Sequence, residues 1–440
     1  MLMRGGLFGI VGLMMAASAS AQIQPAAIDA AAQRLEPKVI AWRRDLHQHP
    51  ELGNSEVRTA QIVAKHLRAL GLEVRTQVGV TGVVALLKGA KPGPTIGLRA
   101  DMDALPVTER GDLPFKSTVT ADYRGEKVGV MHACGHDAHV AILLGVAEAL
   151  AGMREQLPGQ VLFVFQPAEE GPPEGQRGGA SLMLDEGAFA LARPEAMFGL
   201  HVIASLPTGV IGYRSGPFMA GSDAFSIAIE GRQTHGSRPW GGVDPIVTAG
   251  QVLVGLQTIV SRQIDITEIP AVVSIGAIKG GIRFNIIPDS VEMIGTIRTF
   301  NKDVRADIIA RMDSTAQHIA AASGATASLK FRPEVSIPPV INDPDLTRRS
   351  LPTLARVAGQ ANVRQVSLQT TAEDFSFFGN AVPSLFFWVG ITPPDRDPAT
   401  VAFNHSPLFY VDEAGLPTGT RALLALAVDY LEGRMSPDKN

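Results

Sequence analysis

The apolar residues of this chain follow two rhythms, and the change between them limits the folds open to it. Short apolar runs at residues 82–87, 95–98, 161–165 and 196–200 are separated by stretches of helical periodicity, notably 28–46, 55–70 and 138–151. Strands that alternate with helices build a mostly parallel α/β sheet with helices on both faces. Near Pro207 the rhythm changes. Residues 225–230 alternate, 245–263 and 304–322 read as helices, and 272–278 and 291–300 read as strands with one solvated face. After about residue 329 the first pattern returns, with strands at 363–368 and 384–389 and a closing helix at 412–431. The expectation is an α/β main domain formed by residues 22–206 and 327–440, interrupted by an inserted α+β satellite domain at 207–326.

The first residues obey a different logic. Arg4 is the only early charge, an apolar run covers 7–17, and Ser18-Ala19-Ser20-Ala21 follows. A charged start, a short hydrophobic stretch and a small-residue cleavage site predict a signal peptide over residues 1–21. The alternative, a membrane anchor, asks for a span of about 20 apolar residues. The expected location is therefore periplasmic or secreted, with no membrane association after cleavage. A net charge of −4 argues against a nucleic-acid partner.

Cys134 is the only cysteine in 440 residues, so it has no disulfide partner within the chain. It lies in Met131-His132-Ala133-Cys134-Gly135-His136, where a glycine turn opens a helix. The plain alternative is a free thiol packed as a small hydrophobe. Polar clusters after four strands give the metal reading its weight. Arg99-Ala100-Asp101-Met102-Asp103 follows one, Gln166-Pro167-Ala168-Glu169-Glu170 a second, His201 ends a third, and Asn404-His405-Ser406-Pro407 follows the last. In open α/β sheets ligands bind outside the carboxyl ends of the strands. Cys134, His136, Glu170, His201 and His405 then supply five ligands. A bridging thiolate would turn five residues into six bonds, three for each of two divalent ions. Thiolate with imidazole suits zinc, with manganese or cobalt as alternatives. Glu169, diverging from its neighbour, is left free as general base and then acid. Asp101 and Asp103 suit the support of a ligand, His136 above all. No Gly-x-Ser-x-Gly elbow is present for a serine hydrolase.

With these motifs the chain resembles the dinuclear metallo-amidohydrolases related to aminoacylases and glutamate carboxypeptidases, peptidase family M-twenty. Within it, the pattern is nearest the hippurate and indole-acetyl-amino-acid hydrolases of subfamily D. Further matching stretches are 44–52, His235 to Pro245, Asn285-Ile286-Ile287-Pro288 and Ala372-Glu373-Asp374-Phe375. The resemblance implies a dinuclear-metal catalytic domain and a satellite domain that mediates homodimerisation. It implies that His235 stabilises the oxyanion, in its own subunit or a partner's, and that Asn285 and Arg298 meet the substrate carboxylate. A cross-strand ion pair is the alternative for Arg298. His47, His49, His132 and His139 read as structural hydrogen-bonders, and Phe218, Trp240, Phe284 and Trp388 as core, with lining of the substrate pocket as the alternative. The expected activity is hydrolysis of the amide in N-acyl amino acids. A carboxypeptidase or dipeptidase of the same fold and a non-catalytic periplasmic binding protein are the alternatives.

Overall fold

The computed structural model describes residues 22–435; the expected signal peptide lies outside the described residues. An eight-stranded sheet runs in the order Glu73–Thr76, Val83–Lys88, Pro158–Gln166, Lys91–Asp101, Ala196–Pro207, Ser384–Thr392, Ile211–Tyr213, Val363–Gln365. Its four central strands, Pro158–Gln166 to Ser384–Thr392, are mutually parallel. Antiparallel strands close it on both sides. All nine residues of Ser384–Thr392 are buried. That follows from helices covering both faces, and it explains why the sequence there is continuously apolar rather than alternating. Helices Pro25–Gln48, His136–Gly152 and Leu416–Leu431 pack against one face. Phe218, Phe375, Phe378 and Phe386 fill the other. His136–Gly152 is apolar nearly all round and correspondingly buried along almost its whole length.

The inserted unit is a four-stranded antiparallel sheet in the order Val272–Gly280, Ser290–Thr299, Gly221–Glu230, Thr326–Phe331. Helices Pro245–Gln263 and Lys302–Ala322 cover one face through Val252, Leu256, Ile259, Ile308 and Met312. Both helices start on side-chain caps. Asp244 accepts from the N–H groups of Ile246 and Val247, and Asn301 from those of Asp303 and Val304.

Two boundaries differ from the sequence reading of 207–326. Ile211–Tyr213 belongs to the large sheet, and Thr326–Phe331 pairs with Gly221–Glu230 in the small one. The small sheet therefore begins at Gly221 and ends at Phe331. The reason is strand pairing over long sequence separation, which local periodicity does not carry. The two connections cross at Ser222 and Ile337, which exchange backbone hydrogen bonds of 2.8 and 2.9 Å.

Candidate metal centre

Strands Lys91–Asp101 and Pro158–Gln166 end at the same edge of the sheet, delivering Asp101 and the Glu169-Glu170 pair there. His201 sits within Ala196–Pro207, opposite Trp388, rather than at the strand's end as expected, because that strand stays buried through Ala204. Cys134 precedes the helix His136–Gly152 by one glycine. Gly135 has φ +95°, and a Cβ there would lie 2.3 Å from a Val202 methyl, so only glycine makes this turn. His405 comes in on a loop fixed to the cysteine turn. Its N–H donates to the Ala133 carbonyl at 2.7 Å, and the Asn404 amide donates to the carbonyls of Cys134 and Val202.

These segments bring together all five sequence-predicted ligands. The Cys134 sulfur lies 3.3 Å from His201 Nε2 and 3.3 Å from His405 Nε2. His405 Nε2 is 2.9 Å from Glu170 Oε1. Of the groups of donor atoms that lie within 4.8 Å of one another, two share Cys134: Cys134, His136 and His201, and Cys134, Glu170 and His405. Glu169 falls in neither of these but is grouped with His136 and Glu170. Hydrogen bonds aim the rings. His201 Nδ1 donates to the Val202 carbonyl at 2.7 Å, and His136 Nδ1 faces Asp103 Oδ1 at 3.3 Å. Each ring thus turns an Nε2 lone pair into the cluster. His136 Nε2 is buried without a hydrogen-bond partner. That orphaned nitrogen, with the sulfur and carboxylate beside it, fits a pair of divalent ions.

Asp103 supports His136 as expected, and its Oδ2 also accepts the Glu170 N–H at 2.9 Å. Asp101 does something else. It lies 2.5 Å from His139 Nδ1 and 2.7 Å from Arg99, but 3.8 Å from His136 Nε2. His139 Nε2 accepts the Val202 N–H at 2.8 Å, which places its proton on Nδ1, toward Asp101. His139 thereby ties the His136 helix to the His201 strand. His47 and His49 are structural, bonded to Asp137 and to the Asp45 carbonyl. His132 is not the hydrogen-bonder expected, since neither ring nitrogen has a partner.

Sequence reasoning assigned no role to the charged floor of the site. Arg99 is buried and meets Asp101 at 2.7 Å, Glu373 at 2.9 Å and Asp374 at 3.1 Å. Three carboxylates around one guanidinium leave acidic groups under-compensated. Burial pushes Glu373 up to about 7 and Asp374 up to about 6, although Arg99 pulls both down. Burial, then Glu373 and Glu170, hold Glu169 well above the usual carboxylate range. Burial opposes charge on His136, but the Asp101 field and the Asp103 hydrogen bond lift it to about 10. Burial and the Glu170 and Glu169 carboxylates push the Cys134 thiol well up, so a thiolate there needs cations beside it.

An open cavity of about 290 Å³ leads to the cluster. Cys134, Glu169, Glu170, His201 and His405 lie at its floor, and Ile203, Met219, Trp388 and Phe403 form its apolar wall. Trp388 is therefore a wall of the cavity as well as core. Phe218 is core, whereas Trp240 and Phe284 are exposed on the inserted unit, contrary to expectation. His235, Asn285 and Arg298 do not line this cavity. His235 is exposed and accepts hydrogen bonds from Ser237, and the Gly236 N–H bonds the Asn285 carbonyl at 2.9 Å. Arg298 forms no ion pair among the described residues; Asp223, on the neighbouring strand, takes Arg305 instead.

An α/β sheet that gathers a thiol, three imidazoles and a carboxylate at one edge, with a separate carboxylate beside them, defines a metallo-hydrolase. A family model described as peptidase family M20/M25/M40 matches residues 97–429, and the chain belongs to that family. It is 40% identical over 399 residues to thermostable carboxypeptidase 1 of Saccharolobus solfataricus, covering 90% of this chain and 96% of that one. It is 39% identical over 396 residues to an N-acetylcysteine deacetylase of Bacillus subtilis, covering 90% and 97%. A crystal structure from Bacillus subtilis, described as a dinuclear metal-binding peptidase of this family, superimposes with TM-score 0.74 at 36% identity, covering 91% and 99%.

Proposed function

We propose that this chain hydrolyses the amide bond of N-acyl amino acids, releasing a carboxylic acid and a free amino acid. The observation that carries the reading is Cys134 common to two ligand groups, with Glu169 beside them and outside both. Cys134, His136 and His201 would hold one ion, and Cys134, Glu170 and His405 the other. Zinc is the ion proposed, with manganese or cobalt as the alternatives. Two such ions would polarise the acyl carbonyl and lower the pKa of water to about 7. Glu169 has its Oε2 3.9 Å from His136 Nε2. It takes the proton of the attacking water and passes it to the departing nitrogen. The apolar wall of Ile203, Met219, Trp388 and Phe403 receives the acyl group, which supports placement with the hippurate-type subgroup.

His235 remains the proposed oxyanion donor, acting after the inserted unit moves or from a second subunit. Trp240, Ile246, Val247, Val254, Ile282 and Phe284 are large apolar side chains exposed on that unit, which supports a homodimer formed through it. The first 21 residues support export to the periplasm or beyond. Among the described residues no helix is long and apolar enough to cross a membrane.

A second reading, carboxypeptidase action on free peptides, is favoured by the identity to thermostable carboxypeptidase 1. A panel of N-benzoyl and N-acetyl amino acids against unblocked dipeptides separates the two. Faster turnover of the blocked compounds is expected. Turnover confined to unblocked dipeptides overturns the first reading.

A further inference from the structure

Glu169 and Glu170 are the two central residues of a β-turn closed by the Gly171 N–H on the Ala168 carbonyl at 3.3 Å. The two carboxylates do not diverge as the sequence suggests: both lie within 4.8 Å of a His136 nitrogen and of each other. Glu170 Oε1 is 2.9 Å from His405 Nε2, whereas Glu169 Oε2 stays 3.9 Å from His136 Nε2, so the turn gives one carboxylate to the ligand set and leaves the other beside it. The turn needs an unusual entry. Ala168 has φ +51°, a left-handed conformation that costs a residue with a Cβ about 1 kcal/mol or more. Something must hold it there.

That group is Glu56, 0% exposed, at the start of helix Val57–Ala69 and far from the turn in sequence. Its Oε1 accepts the Ala168 N–H at 2.8 Å, and its Oε2 accepts the Thr81 hydroxyl at 2.6 Å. Among the described residues no lysine, arginine or histidine forms an ion pair with it. A buried carboxyl held only by N–H and O–H donors is placed for direction rather than for charge neutralisation. Burial, then the Asp103 charge, lift it to about 8 against the Thr81 and Ala168 hydrogen bonds, which favour the ionised form; when neutral, the carboxyl O–H donates to the Thr81 oxygen instead. The adjoining loop braces the same turn. A Cβ on Gly53 would lie 2.8 Å from the Gly171 carbonyl and 3.2 Å from the Ala168 Cα. With Asp103 on the Glu170 N–H at 2.9 Å, the turn is gripped at both ends by buried carboxyls from separate segments.

We propose that Glu56 is a positioning residue, whose hydrogen bond to the Ala168 N–H holds the turn that presents Glu169 to the scissile amide and Glu170 to the metal. The catalytic half rests on the hydrolase reading above; the turn geometry and the metal half do not. Outer partners of a metal ligand are commonly worth 10–100-fold in affinity or rate, and misplacement of a reacting group by about 1 Å costs about 100-fold.

The test compares Glu56→Met, which fills the space without an acceptor, with Glu56→Gln. The glutamine oxygen can still accept from Ala168, and its NH₂ can donate to the Thr81 hydroxyl. Cobalt(II) titration of metal-free protein reads the ligand side. Turnover at saturating metal reads the base. In Glu56→Met the weaker cobalt site is expected to lose about tenfold or more in affinity, and kcat to fall by about 100-fold with KM nearly unchanged. Glu56→Gln is expected to restore both to within about threefold of wild type, which a merely space-filling role would not do. Circular dichroism confirms that both variants are folded. If Glu56→Met misfolds, Thr81→Val, which removes the hydroxyl contact and leaves the Ala168 N–H contact, reports the same effects at smaller size. A folded Glu56→Met with wild-type cobalt affinity and turnover overturns the proposal, as does a folded Glu56→Gln that fails to rescue. A wild-type protein that binds cobalt yet cleaves no N-acyl amino acid refutes the hydrolase reading instead, and the titration still decides the role of Glu56.

Discussion

Glu169→Gln isolates the proton-transfer role from the rest of the site. Glutamine keeps the size of the side chain, which is 8% exposed, and removes only its ability to take a proton. The five ligands stay in place, since Glu169 belongs to neither group that contains Cys134. General-base catalysis contributes about 10²–10⁴ in rate. At about 1.4 kcal/mol per decade that is about 3–5 kcal/mol of barrier. The proton moves only as the amide breaks, so kcat and kcat/KM should fall together and KM should stay nearly constant. The assay is steady-state hydrolysis of an N-acyl amino acid, with metal content measured on the same preparation. A fully metallated variant with turnover within about tenfold of wild type would refute the role.

The remaining expectations follow from other parts of the site. Arg99→Met strands Asp101, Glu373 and Asp374 without their cation. It should lower unfolding free energy by about 3–5 kcal/mol in urea titrations, and Arg99→Lys should not recover it, lacking the fork that reaches all three. Glu56 titrates near 8 in the folded protein against an ordinary 4.5, so its stabilising neutral form is complete below pH 4.5 and is lost as pH rises to 8. Glu56→Gln should therefore match wild type in urea near pH 4.5 and exceed it near pH 8; equal stability at both would contradict the neutral carboxyl. Met219→Trp narrows the apolar wall and should cut kcat/KM for aryl-acyl substrates by about tenfold or more while sparing acetyl substrates. Equal losses on both would place the acyl group elsewhere.

Most of the ligand set was legible because Cys134 and His136 stand at the start of a helix and Glu170 just past the end of a strand, and those are local signals; His201 was found although it lies inside its strand, and His405 although it lies on a loop well past Thr392. Cys134 is single and followed by a glycine turn, and Glu170 and His405 follow apolar runs. Helix 245–263 was legible to the residue because Asp244 caps it and Pro245 starts it. What stayed hidden depends on distant pairing. Ile211–Tyr213 is three residues long, and only its neighbours Ser384–Thr392 and Val363–Gln365 make it a strand of the large sheet. Glu56 reads as an ordinary polar residue at a helix start, and its burial arises when the loop docks on the 168–171 turn. The role of His139 depends on a backbone N–H contributed by Val202. Arg99 offered one usable clue, a cation within the buried end of its strand, which must find anions to remain buried.

The central claim is that one sulfur is shared between two ions. Anomalous diffraction from crystals grown with zinc, together with metal analysis of the same protein and of Cys134→Ala, tests it directly. The account predicts two peaks about 3.5–4 Å apart flanking the Cys134 sulfur, and loss of tight binding of both ions in Cys134→Ala. A single peak remote from the sulfur, or Cys134→Ala retaining two ions at wild-type affinity, would contradict it.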